Sequence, residues 1–164
     1  MQTNTAPNPI PQAHETFLRI VRDRGKLQDL YEARDMTEIV YRTMRDLMDR
    51  ATIERVSNEL GNQNAAPIRA GMSFSVKDLW EDTNPLVSWI SRLRPAFAKE
   101  APYGINDKLF LRRLKLEGGM PAQTDPMTVT RAVFTATKAE LSPECIQEVS
   151  ECLPGVIKTI WNQA

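Results

Sequence analysis

The chain states much of its folding pattern twice. Displaced along itself by 93 positions without a gap, Phe17-Leu18-Arg19 falls on Phe110-Leu111-Arg112. In the same register Gly25 meets Gly118, Thr37 meets Thr130, Val40 meets Val133 and Ile53 meets Ile146. Val56-Ser57 then meets Val149-Ser150, and Leu60 meets Leu153. Similar residues pair between these points: Val21 with Leu114, Arg22 with Lys115, Leu27 with Met120, Tyr41 with Phe134, Met48 with Leu141. Ungapped agreement spread over 17–60 is the mark of an internal duplication. It predicts two related units and leaves their chemistry open.

Each unit reads as helices. In the first, Phe17, Ile20 and Val21 share a face, and Gly25 is placed to end the helix. A second helix is expected to begin near Asp35 as N-cap, with Met36, Ile39, Val40, Met44, Leu47 and Met48 spaced three and four apart. Asp49 caps a third helix carrying Ile53, Val56 and Leu60, which Gly61 and Asn62 terminate. In the second unit Asn106 or Asp107 opens a helix with Leu109, Phe110, Leu114 and Leu116 as its stripe, closed by Gly118-Gly119. Asp125-Pro126 opens the next, with Val129, Ala132, Val133 and Ala136 inward. Ser142-Pro143-Glu144 starts the third, in register with Asp49, and carries Ile146, Val149 and Leu153. Pro154 breaks the chain before Val156, Ile157, Ile160 and Trp161. No stretch alternates with period two, so no sheet is expected.

The copies differ before their closing helices. Trp80 follows Leu60 by 20 positions and Trp161 follows Leu153 by 8, so the first copy holds 12 extra residues. This insertion lies at about 61–75. A helix without counterpart is expected over 83–94: Thr83 or Asn84 caps it, Pro85 takes its first position, Leu86, Trp89, Ile90 and Leu93 form its stripe, and Pro95 stops it. The expected organisation is a flexible tail (1–12, with Pro7, Pro9 and Pro11), a first helical module (13–80), the unique helix and hinge (81–104) and a second module (105–164). The fold class is an all-α bundle of two tandem, related three-to-four-helix modules and a linking helix.

Several of these residues carry a family resemblance. The helix Val129-Thr-Arg-Ala-Val133 precedes a Leu-Ser-Pro-Glu break at 141–144, and the ending is Leu153-Pro154-x-x-Ile157-x-x-Ile160-Trp161. This resembles the bacterial family catalogued as domain of unknown function 2267, whose members carry one or two such modules. The likeness is good over 109–161 and weaker over 14–80, where Leu60-Gly61 replaces the Leu-Pro step; the 83–94 helix and the tail fall outside it. The shared residues are packing and capping residues, so the resemblance implies an all-helical, two-lobed bundle and transfers no catalytic residue.

Composition narrows the function classes. Lys plus Arg number 21 and Asp plus Glu 21, so no overall field draws the chain to nucleic acid or anionic membranes. Two cysteines and one histidine are too few for a disulfide framework or a metal cluster, and no apolar run reaches the roughly 20 residues of a membrane span. Cys145 and Cys152 lie seven apart on one helix, roughly 10 Å, beyond disulfide reach; they read as small, half-buried helix residues. His14 is expected at the surface, Trp80 and Trp161 in the cores they close, and Met36, Met44 and Met48 inside. No catalytic set, metal site or cofactor motif is read; Gly118-Gly119 lacks the following Lys-Ser or Lys-Thr of a phosphate loop.

The remaining candidates are contact residues. Trp89 with Arg92 and Arg94 has the composition of a binding hot spot, although Trp89 also fits a wedge between lobes. Arg19-Arg22-Arg24-Lys26 and Arg112-Arg113-Lys115 occupy equivalent places in the two copies. The leading expectation is a non-catalytic cytoplasmic adaptor or regulatory module that binds a protein partner, or a second copy of itself. It would use the insertion, the unique helix and the candidates Trp89, Arg92, Arg94, Arg19, Arg22, Arg112 and Arg113. A nucleic-acid-associated regulator is an alternative that the interleaved acids Asp23, Asp29 and Glu117 disfavour. A small-ligand-binding or enzymatic helical protein is another, and it requires an apolar pocket between the lobes.

Overall fold

The computed structural model describes residues 9–62, 76–81, 107–117 and 120–164. Nearly all of the expected insertion lies outside the described residues, as does the 83–94 helix with Trp89, Arg92 and Arg94. Among the described residues there are eight helices and no strand. They are α1 (Gln12–Gly25), α2 (Leu30–Arg45), α3 (Arg50–Asn62) and α4 (Val76–Glu81), then α5 (Asp107–Glu117), α6 (Pro126–Lys138), α7 (Pro143–Cys152) and α8 (Gly155–Gln163). None is long and apolar enough to cross a membrane.

Among the described residues side-chain caps set four of the eight starts. The Asp49 carboxylate accepts from the Thr52 amide at 2.9 Å, Asp125 from Thr128 at 3.0 Å, and the Ser142 hydroxyl from Cys145 at 3.3 Å. Pro126 and Pro143 take the first helical positions. One start differs from expectation. The second helix begins at Leu30, not beyond Asp35, because Asp29 accepts from the Glu32 amide at 2.8 Å while Glu32 accepts from the Gln28 amide at 2.7 Å. This reciprocal pair fixes the end one turn ahead of the apolar stripe. Asp35 instead sits within the helix, exposed, beside Arg34.

The first helix ends by a route that its glycine does not supply. Lys26, not Gly25, takes the left-handed conformation (φ 55°, ψ 42°), and the Leu27 amide returns to the Arg22 carbonyl at 2.9 Å. Gly25 serves packing instead. A Cβ there would press on Leu27 Cγ at 3.3 Å while meeting Ala132 Cβ of α6 at an ordinary 3.6 Å, so its absence lets Leu27 return closely onto the end of α1.

The helices of the two halves cross over. α1 lies along α6 and α5 rests against α2, so each half's first helix docks on the other half's second. α3 meets α7, while α4 packs under α2 and α3, and α8 under α6 and α7. Arg55 pairs with Glu148, its own counterpart in the 93-residue register, at the α3–α7 contact. A single hydrophobic core joins Phe17, Val40 and Trp80 to Phe110, Val133 and Trp161. The two halves therefore do not fold around separate cores.

Equivalent residues make equivalent contacts. Tyr41 stacks edge-on to Trp80 at 5.0 Å and 75°, and Phe134 to Trp161 at 5.0 Å and 76°. The indole N–H of Trp80 donates to the Ile53 carbonyl at 3.2 Å; that of Trp161 donates to Ile146 at 3.0 Å. Both rings are fully buried with their one donor satisfied, as a closing aromatic requires. Met36, Met44 and Met48 are buried as expected.

Three placements differ from the sequence reading. His14 is buried, not at the surface, because α4 packs across the start of α1 and brings Asp78 Oδ2 to 3.5 Å from its Nε2. The tail does not end cleanly at residue 12: the helix already includes Gln12, and Ile10 packs against the core. The α5 stripe is Phe110 and Leu114, with Leu111 half-buried, whereas Leu109 and Leu116 are 36% and 70% exposed.

Candidate functional site

Two concavities bear on function, and each belongs to one half of the chain. The first, about 320 Å³, opens between α3 and α4 at the end of α2, against Trp80. Its polar groups largely serve one another. Ser57 Oγ bonds Glu81 at 2.6 Å, Lys77 pairs with the same carboxylate at 3.5 Å, and Arg50 pairs with Glu54 at 2.9 Å. The Arg45 guanidinium lies 5.9 Å from the Trp80 ring centre. The second half finishes the corresponding corner differently. Lys138, in register with Arg45, sits 5.8 Å from the Trp161 ring centre and donates to the carbonyls of Trp161 and Ala164 at 2.9 and 2.8 Å. These are cations at the ends of helices, where the dipole favours them, and they read as structural.

The second concavity has a different character. Leu111, Leu116, Pro126 and Met127 form an apolar groove of about 470 Å³ between α5 and the start of α6, rimmed by Arg112, Lys115 and Asp125. Its origin is legible from the first half. There α1 packs closely along α2 across a four-residue connection, 26–29, whereas eight residues, 118–125, join α5 to α6 and these two helices touch less. Leu18 and Ala33, in register with Leu111 and Pro126, are fully buried. At the two positions that differ most in chemistry, Asp23 and Arg34 of the first half are replaced by Leu116 and Met127. Where the first half carries charged side chains, the second is apolar and borders a groove.

The sequence candidates distribute over this frame unevenly. Arg19 is exposed and paired with Glu15 at 3.3 Å; Arg22 bonds Asp23 at 2.7 Å, which holds its guanidinium pKa above the usual value. Arg113 is not a surface cation: half-buried, it reaches Asp46, the residue that follows α2, at 2.8 Å and ties α5 to its neighbour. Arg112 is exposed on the groove rim. The structure thus separates Arg112 from Arg113 and does not pack α1 along α5. Sequence reasoning placed Leu116 in the inward stripe of α5 and did not name Met127. Their signal was present in the repeat, as apolar residues standing where the other copy has charges.

Neither cysteine is an activated nucleophile. Burial pushes the Cys145 thiol up to about 12, with Glu59 and Glu148 adding to the effect, and burial also raises Cys152. Among the described residues no group of three or more His, Cys, Asp or Glu side chains is placed to hold a metal ion. Asp49 and Asp125 lie below the ordinary carboxylate value because each is bonded to its cap: Asp49 chiefly to the Thr52 amide, Asp125 chiefly to the Thr128 hydroxyl.

A family model described as an uncharacterized conserved protein (DUF2267) matches residues 14–160, from the first turn of α1 into α8. The match is continuous, so it takes in 83–94 as well as the two stretches where the likeness was read from the sequence. No curated protein matches the chain.

Proposed function

The chain belongs to the DUF2267 family of uncharacterized conserved proteins, and we propose that it is a non-catalytic cytoplasmic module that binds a protein partner. The observation that carries this reading is the open groove on α5 and α6. Leu116, 70% exposed, stands on a rigid helix beside Met127 and Leu111, with a basic rim. An adaptable apolar strip of Leu and Met edged by charge is the composition of a surface that receives another protein. A cytoplasmic setting is supported by two cysteines that are unpaired and spaced beyond disulfide reach. The two cysteines are buried or half-buried with raised pKa values, and the single histidine is engaged with Asp78, which supports a non-catalytic role.

Site-specific photo-crosslinking tests the reading in the producing cell. A benzophenone side chain at position 116 should yield one discrete crosslinked protein, absent when the probe stands at Asp23 and lost when Met127→Glu is added. Equal yields from positions 116 and 23, or none from 116, would refute it.

A further inference from the structure

The groove's rim identifies the chemistry of what it takes, granted the interaction reading above. In the first half two basic residues of α1 are neutralised on their own helix: Arg19 by Glu15, Arg22 by Asp23. The second half keeps bases at these two places and loses both acids, although Glu117 stands where the first half has Arg24. Arg112 and Lys115 stand in register with Arg19 and Arg22, but Lys108 occupies the place of Glu15 and Leu116 that of Asp23. Among the described residues neither Arg112 nor Lys115 forms an ion pair, and both are exposed. Lys108, Arg112 and Lys115 follow one another at spacings of four and three, so they share one side of α5. Leu109, Arg112 and Leu116 likewise align, which places an exposed leucine one helical turn to each side of Arg112.

The far rim offsets only part of this charge: Asp125, its pKa lowered chiefly by the Thr128 hydroxyl, stands near enough to Lys115 for that ammonium to help lower it. Asp125 is its one carboxylate, and its oxygen is engaged by the Thr128 amide at 3.0 Å and hydroxyl at 2.7 Å as the cap of α6. The start of α6 beside it carries the positive end of that helix's dipole. An apolar floor between two helices, with positive charge along one wall, fits one class of occupant. We propose that the α5–α6 groove binds an amphipathic helix of a partner protein whose apolar face is flanked by acidic residues. Its leucine-like anchors would fill the floor formed by Leu111, Leu116 and Met127. Its carboxylates would meet Arg112 and Lys115, giving orientation and a salt-dependent encounter rate.

The test uses the full chain and two synthetic helical peptides of about four turns, long enough to hold helix when bound. They share the same leucine spacing and carry either glutamates or lysines beside it. Fluorescence anisotropy should show the glutamate peptide binding and the lysine peptide at least about tenfold weaker. Arg112→Glu with Lys115→Glu should reverse that order, and Leu116→Asp should abolish binding of both. All three positions are exposed, so the helical circular dichroism should be unchanged. Equal binding of the two peptides, or binding indifferent to Leu116→Asp, would overturn the proposal. So would concentration-dependent self-association that Leu116→Asp removes while no peptide binds, since the occupant would then be a second copy of the chain. Crosslinking from position 116 without preference for acidic peptides refutes the acidic chemistry and leaves the interaction reading standing; failure of both removes both.

Discussion

The hydrogen bond between Tyr41 and Thr137 is where the crossed arrangement of the two halves can be measured. Tyr41 Oη lies 2.7 Å from Thr137 Oγ1, and the Thr137 hydroxyl already donates to the Val133 carbonyl at 2.7 Å. With that proton committed, Tyr41 must donate and Thr137 accept. Both residues are fully buried, so water cannot replace either partner. Tyr41→Phe removes one bond and leaves Thr137 still bonded to Val133, costing about 1 kcal/mol. Thr137→Val strands the phenol hydroxyl in the core and costs about 2 kcal/mol or more. With both substitutions no polar atom is stranded, so the double variant should lose about 1 kcal/mol, well short of the sum of about 3. Urea denaturation monitored by circular dichroism gives the four stabilities. A double variant as costly as the two singles combined would refute the bond and, with it, this account of how α2 meets α6. The same burial raises the Tyr41 pKa well above the ordinary phenol value. The folded state therefore keeps this proton longer than the unfolded one. Its effect on stability is nil below about pH 10 and grows as a loss when pH rises further.

Other outcomes follow from single contacts. Lys26→Gly should stabilise the chain by about 0.5–1 kcal/mol by relieving a left-handed lysine, while Gly25→Val should destabilise it by about 1–3 kcal/mol by crowding Leu27; thermal unfolding checks both. Glu59 accepts from the Ser142 amide and hydroxyl, each at 2.7 Å, so Glu59→Ala should cost about 1–2 kcal/mol by releasing α3 from the cap of α7, read from the denaturation midpoint. Asp49 and Asp125 have depressed pKa values, so the stability they add is full above about pH 4 and lost as pH falls through their folded values; in Asp49→Asn the acid limb of a stability–pH curve should flatten. Cys152 is half-buried and Cys145 fully so, hence a thiol reagent at pH 8 should modify Cys152 first and Cys145 only at the rate of unfolding.

Local physics was legible without coordinates. Apolar residues at spacings of three and four, with Asp49, Asp125-Pro126 and Ser142-Pro143 at their starts, fixed an all-helical chain and most of its boundaries, because capping and amphipathicity act within one or two turns. The repeat placed Trp80 and Trp161 in equivalent roles, since an aromatic needs the same surroundings in either copy. Where two local signals competed, the choice went astray. The stripe beginning at Met36 pointed to Asp35, but the Asp29–Glu32 pair decided the start of α2. What needed the tertiary structure was long-range. Packing of α4 across the start of α1 turns His14 inward against Asp78. The α2–α5 contact draws Arg113 onto Asp46 while Arg112, its neighbour in the chain, stays outside. The groove depends on the separation of α5 from α6. Leu116 looks like a core residue along the sequence and becomes an exposed one because no helix among the described residues closes over it; burial is a property of what packs on a face, which a residue's own neighbours in the chain do not determine.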